Sequence, residues 1–545
     1  MKALFPVTLL ASLISASAFA ANYSTPTLLV APSEFKGVHG LAVDQQGRLL
    51  AGSVVGNSIY QIDKQTGVAS ILVGPDEGQA DDIAIGPNGE MAWTGFYLGK
   101  VMYRENDEAP IKVLAEGMLG INSIAFNQKT GQLYASQVFL GDALWELDPK
   151  GGNKPRLINK DMGGFNGFEV GADGSLYGPL WFKGVAVKID PSNGNIETVA
   201  DGFGIPAAVN FDSKGNLYVV DTLTGKLMRV DAADLKSGSA EPQMVAQLST
   251  ALDNLAIDPQ DNIYVSNMAD NSIQQVDPKT GEVRLITSGE LAVPAGTALS
   301  DDGKTLYVAD IFAFRAVDTA SGKVTDLRRA HGSDAEYPVA VNLSNDLLLA
   351  TSFSTGTLHL IDRLDNTTIA MVHGLNAPSD AVELDDGSIV VSEMGSGSLV
   401  HLSGDELKTK RTLTTDLFGP VQMIRGQDGQ IYLTEVAGFL TRVDPKSGEI
   451  TRLAKDLKMP EGLAQAADGS FIIAETGERR LIRLDATTGE QTVLATDLPI
   501  GFPPGPGMPP SGIPTGVEIA DDGTLYFTSD VDNGLYQIKL VPTES

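Results

Sequence analysis

Short apolar and polar runs alternate along nearly the whole chain, and the runs recur. "HGLAVDQQGRLLAGS" at 39–53 returns as "NSIAFNQKTGQLYAS" at 122–136, "DNLAIDPQDNIYVSN" at 253–267 and "EGLAQAADGSFIIAE" at 461–475. Each copy reads as a short strand, a polar turn usually ending in Gly, and a second strand rich in Tyr, Val, Ile or Leu. A third strand follows, often ending in Asp, as in "SIYQID", "KLMRVD" and "SIQQVD". A turn such as "DPSNG" or "DPKTG" comes next, where Asp and Pro favour the bend and Gly takes positive φ. A fourth strand, such as "ASILVG" or "IETVAD", closes the unit.

Twelve such units follow one another at roughly 40-residue spacing, the period of a four-stranded propeller blade. The period of two within each unit leaves almost no helical signal. One ring of twelve would exceed the usual limit of about eight blades. The expected fold is therefore all-β: two consecutive six-bladed β-propellers of four-stranded blades, the first over 21–280 and the second over 281–545. The segment "TPTLLVAP" near the start reads as a fourth strand without its first three, and "GLYQIKLV" near the end as a third strand without a fourth. The expected closure gives the N-terminal strand to the sixth unit. "VRLITS" then opens the second ring and completes the twelfth unit. A crossed closure, with the N-terminal strand sealing the second ring, requires a longer path.

The first twenty residues carry a different pattern. Lys2 precedes an apolar run ending in Ala18-Phe19-Ala20, which fits a cleavable secretory signal over 1–20. No later run approaches the ~18 apolar residues of a spanning helix. The expected location is periplasmic or secreted, without membrane insertion. The sequence has no cysteine, which excludes a lipoprotein anchor, disulfides and thiolate chemistry. A formal charge of -30 argues against nucleic acid as a partner.

Aligning the units on the residue just before each first strand gives a candidate channel lining. The first ring places His39, Asp81, Asn122, Asn166, Ala207 and Asp253 there; the second places Ala295, Val339, Asp380, Val421, Glu461 and Thr515. Carboxylates and amide oxygens converging on one point suit a hard divalent cation. The loops after the second strands of the first ring carry Phe96, Tyr97, Phe139, Trp181 and Phe182, a candidate aromatic wall for a small molecule. In the second ring the same positions carry Asp310, Glu393, Glu435, Glu475 and Asp530, which read as acceptors for backbone N–H groups in tight turns. The stretch "LPIGFPPGPGMPPSGIP" at 498–514 is too rich in Pro and Gly for a strand and is expected at the mouth of the second ring. The remaining histidines, His331 among them, read as surface or packing residues.

The repeat, with "EGLA", "NGF" and "PSDAV" at these positions, resembles the senescence marker protein/gluconolactonase family of six-bladed propellers, which includes regucalcin-like lactonases. NHL-repeat proteins and streptogramin lyases have similar repeats. The resemblance implies one divalent cation in a propeller channel. In the family the ligand blades run acid, a gap, then Asn, Asn and Asp. The first ring places Asp253, a gap at His39, then Asp81, Asn122 and Asn166, so Asp81 stands where the family has Asn and Asn166 where it has Asp. The implied ligands are Asp81, Asn122, Asn166 and Asp253, holding Ca²⁺, Mg²⁺, Mn²⁺ or Zn²⁺, with His39 or Asp81 as general base. Asp380 and Glu461 form the second-ring alternative. The implied activity is metal-dependent hydrolysis of a lactone or related ester. A non-catalytic propeller that binds a protein or small ligand, or a metal-assisted lyase, is the alternative.

Overall fold

The computed structural model describes residues 23–237, 240–334 and 337–541, and the expected signal segment lies outside them. These residues form twelve four-stranded antiparallel sheets, eleven of which are built from four consecutive strands. The first blade shows how the sequence does this. Its strands are Leu41–Val43, Leu49–Ser53, Ser58–Ile62 and Ala69–Val73. Between the third and fourth, Asp63 Oδ1 accepts the N–H groups of Gln65 and Thr66 at 2.8 and 2.9 Å, fixing the turn. Gly67 then takes φ 78°, where a Cβ would stand 2.3 Å from the Ile286 carbonyl oxygen of the sixth blade. Only Gly permits both the turn and that approach. The second strand is buried along its whole length, while the fourth is largely open to solvent.

The innermost strands touch in cyclic order. The sixth blade's Leu252–Ile257 returns to Leu41–Val43, and the twelfth blade's Val517–Ile519 returns to Thr297–Leu299. Two closed six-membered rings result. The core lies between neighbouring blades: Leu49, Ala51 and Ile62 of the first blade pack with Ala256, Tyr264 and Ile273 of the sixth.

The closure is the crossed one. Thr27–Val30 pairs with Leu535–Ile538 and completes the twelfth blade, while Val283–Thr287 completes the sixth. The expected assignment of these two strands is thereby reversed. The turn at 277–281 lies inside the sixth blade, so the fourth strand beyond it belongs with the first ring rather than with 281–545. The path is short because the chain enters and leaves the first ring at one place. Ser33 Oγ donates to the Leu291 carbonyl at 2.8 Å, and Asn271 Nδ2 donates to Ser33 Oγ and to the Ala292 carbonyl, each at 2.8 Å. Val30 then packs among Leu291, Leu306, Tyr526 and Leu535.

The rings meet over a mixed interface. Ala251, Met268 and Ala269 of the first pack with Val293, Ile311, Phe312 and Val339 of the second. Arg329 donates to both oxygens of Asp270 at 2.7 Å and to the Thr250 carbonyl at 3.0 Å, so its buried charge is paired across the interface. Gly37 has φ 70° and a Cβ there would lie 2.1 Å from the Phe312 ring, so Gly is required where the rings touch.

Candidate active site

Four residues at the aligned position are held through their carbonyls by a hydroxyl from the blade before. Ser266 Oγ donates to the His39 carbonyl at 2.7 Å, and Thr94 Oγ1 to the Asn122 carbonyl at 2.5 Å. In the second ring Thr434 Oγ1 reaches the Glu461 carbonyl at 2.6 Å and Thr528 Oγ1 the Ala295 carbonyl at 2.7 Å. Each hydroxyl sits on a buried second strand. Rigid strands therefore aim these side chains into the channel.

In the first ring this brings His39, Asp81 and Asp253 together, with donor atoms within 4.8 Å of one another. Among the described residues it is the one such group of three or more acidic or histidine side chains. His39 Nδ1 lies 3.4 Å from Asp253 Oδ2, while Nε2 is buried without a hydrogen-bond partner. Burial opposes protonation of His39, but the Asp253 carboxylate, by charge and hydrogen bond, and Asp81 together hold it above the ordinary imidazole range. Burial pushes Asp81 well above the usual carboxylate range; the His39 charge opposes this, and Asp253 and Asp82 add to it.

Asn122 and Asn166 line the same cavity. Both amide oxygens lie 2.9 Å from Ser123 Oγ, which itself accepts the Gly167 N–H at 2.7 Å. A serine hydroxyl has one proton, so it satisfies one of the two amides and leaves the other oxygen available. That free oxygen, two carboxylates and the unpartnered imidazole nitrogen are a donor set that fits a divalent cation and a neighbouring base.

One residue deeper lies a layer that the alignment misses. Asp82 accepts from Ile83 N at 2.9 Å, Ile124 N at 3.1 Å and Asn254 Nδ2 at 3.0 Å, and burial raises it to about 7. Asp380 has the same pattern: it accepts from Ala381 N, Met423 N and Asn342 Nδ2, each at 2.8 Å, and burial raises it to about 7. Asp380 is thus the counterpart of Asp82, and Ser379 stands where Asp81 does. Glu461 does occupy the aligned position, but its oxygens accept from Ser511 Oγ at 2.8 Å and Thr515 N at 2.9 Å. The second-ring pair is therefore engaged by the protein itself. The adjacent carboxylates Asp81-Asp82 were the sequence signal for two layers.

Above the cluster opens a cavity of about 880 Å³. Phe96, Tyr97, Phe139, Trp181 and Phe182 share one wall, with Phe139 edge-on to Trp181 at 5.2 Å and to Phe182 at 5.9 Å. The opposite wall comes from the second ring, which the sequence did not place there. Phe312 packs edge-on against His39 at 5.5 Å, and His331 against Trp181 at 5.0 Å. Tyr337 Oη and His331 Nε2 are 3.1 Å apart. Burial lowers His331 to about 4, so this imidazole is neutral. The Pro- and Gly-rich stretch also departs from expectation. Ser511 anchors it at the second ring, but Gly507 and Met508 line the first-ring cavity, and Gln79 Nε2 donates to the Pro506 carbonyl at 3.4 Å.

The acids after the second strands of the second ring face turns instead. Asp310 accepts from Ala292 N and Val293 N, Glu435 from Phe418 N, Glu475 from Lys458 N, and Asp530 from Gly501 N and Phe502 N. Each braces the loop that leads into its own blade's first strand.

Residues 162–289, which include Asn166 and Asp253, match the SMP-30/gluconolactonase/LRE-like region. The matched stretch spans the fourth, fifth and sixth blades. No curated protein matches the chain by sequence. Among solved structures, a catalytically inactive virginiamycin B lyase from Staphylococcus aureus with quinupristin is 16% identical with a TM-score of 0.34, covering 46% of this chain and 95% of its own. The extracellular domain of the putative one component system BT4673 from B. thetaiotaomicron is 10% identical with a TM-score of 0.32, covering 96% and 84%. No helix among the described residues is long and apolar enough to cross a membrane.

Proposed function

We propose that the protein is an exported hydrolase of a lactone or related ester, with its site in the first-ring channel. The observation that carries this reading is the His39–Asp81–Asp253 cluster at the floor of a cavity in a gluconolactonase-type propeller. Asp81, Asp253 and an amide oxygen of Asn122 or Asn166 would hold a divalent cation. When bound, such a cation polarises an ester carbonyl and acidifies water. The chain supplies the rest. Asp253 fixes the His39 ring through Nδ1 and leaves Nε2 without a protein partner. His39 takes the proton of the attacking water as its oxygen bonds to the carbonyl carbon. The ring C–O bond then breaks, and His39 returns the proton to the departing alkoxide. Trp181 and Phe312 exclude bulk water from this exchange.

Turnover of a panel of lactones and aryl esters in H₂¹⁸O, with and without a chelator, tests the reading. Hydrolysis predicts one ¹⁸O in the product carboxylate and loss of turnover with chelator. A product formed without gain of water would contradict it and favour a lyase.

A further inference from the structure

The cavity does not belong to one ring. Its floor and one wall come from the first, while Phe312, His331, Tyr337, Phe353 and Met508 come from the second. Phe312 reaches the imidazole at the floor, so the second ring meets the reacting groups as well as the rim.

Several polar groups of the upper walls are already engaged. Tyr337 Oη and His331 Nε2 face each other at 3.1 Å. Ser333 Oγ donates to the Arg329 carbonyl at 2.9 Å, and Thr355 Oγ1 and Thr357 Oγ1 share a hydrogen bond at 2.7 Å. Ser354 of the second ring and Tyr97 of the first both line the cavity. What remains to meet a ligand above the floor is mostly ring and methyl surface, beside the Trp181 indole and the Tyr97 and Ser354 hydroxyls; Phe139 is 45% exposed and Phe182 62%. A hydroxyl buried against such surface loses its water partners without replacement. Apolar area buried there is gained outright.

We infer that this two-ring cavity takes a ligand with one polar ester or lactone end, seated on the His39–Asp81–Asp253 floor, and a bulky apolar or aryl body clasped between Phe182 of the first ring and Phe353 of the second. It therefore discriminates against polyhydroxylated sugar lactones. The ester end rests on the hydrolase reading, but the apolar clasp does not.

Binding of lactams separates the two, because the amide resists hydrolysis. Calorimetry on the full chain with Mn²⁺ present would compare a phenyl-substituted δ-lactam and a heptyl-substituted δ-lactam with the lactam analogue of δ-gluconolactone. The apolar pair should bind at least about tenfold more tightly, the gain from burying one aryl or heptyl group. Phe353→Ser and Phe182→Ser should each weaken the apolar pair about tenfold with unchanged Mn²⁺ affinity, and Phe182→Ser should also leave the thermal midpoint unchanged. Phe182 is exposed, so its substitution does not endanger folding. Equal or tighter binding of the sugar lactam, or no effect of Phe353→Ser, overturns the proposal. Tight apolar binding without turnover of the matching lactones supports the clasp and overturns the hydrolase reading instead.

Discussion

His39 is where the chemistry of the first ring is most exposed to test. Its Nε2 lacks a partner while Nδ1 faces Asp253, an orientation that suits a base. A base works when unprotonated. Because Asp253 and Asp81 outweigh burial and raise its proton affinity in the metal-free protein, the His39 imidazole should titrate there above its ordinary value of about 6.5, as read by ring-proton NMR with chelator present. Asp253→Asn should move the midpoint down. His39→Gln should lower turnover by about 10²–10⁴ while leaving cation affinity nearly unchanged; a pH–rate profile and a metal titration on the variant check both. A midpoint below that of free imidazole, or a large loss of cation affinity in His39→Gln, contradicts this role. The convergence of His39, Asp81, Asn122, Asn166 and Asp253 on one cavity was legible because each holds the same position at the start of a first strand in a strict repeat. Asp82 was not, since one residue along a strand changes which layer of the channel a side chain enters. His331 was not, because its partner Trp181 lies in the other ring.

At the scale of elements, the strand Thr27–Val30 joins residues more than five hundred positions apart. It was legible as a fourth strand, but its partner was not. The sequence shows that two strands lack mates, whereas the Ser33, Asn271 and Ala292 contacts that shorten the path appear only once the rings are docked. Removing residues 23–30 deletes the outer ladder of the twelfth blade and the burial of Val30, worth about 2 kcal/mol for the side chain alone. Hydrogen exchange should then rise selectively in 517–538, with 41–73 protected as before. Faster exchange in the first and sixth blades instead would contradict the observed closure. The same limit applies to 498–514: its Pro and Gly content marks a loop, but not that it crosses to Tyr97 and Gln79 of the other ring.

The whole molecule carries buried carboxyls that bind protons more tightly folded than unfolded. Burial raises Asp82 and Asp380 to about 7 and Glu461 to about 8. A group with a raised folded pKa stabilises fully below its unfolded value near 4, and that stabilisation is lost as pH rises through the folded value. With chelator present, the thermal midpoint should therefore be several degrees higher at about pH 5.5 than at about pH 8.5. Asp380→Asn should flatten this slope, and a midpoint that rises with pH would contradict the account. The two rings share one architecture, yet among the described residues the first alone assembles unengaged donors, because in the second Asp380 and Glu461 are taken up by backbone N–H groups, Asn342 and Ser511. The most direct test of that asymmetry is calorimetric titration of the metal-free full chain with Mn²⁺, Mg²⁺, Ca²⁺ and Zn²⁺, repeated on Asp81→Asn, Asp253→Asn and Glu461→Gln. One equivalent should bind, weakened about a hundredfold or more by either first-ring change and unaltered by Glu461→Gln. No binding at millimolar metal, or binding lost only in Glu461→Gln, would contradict it.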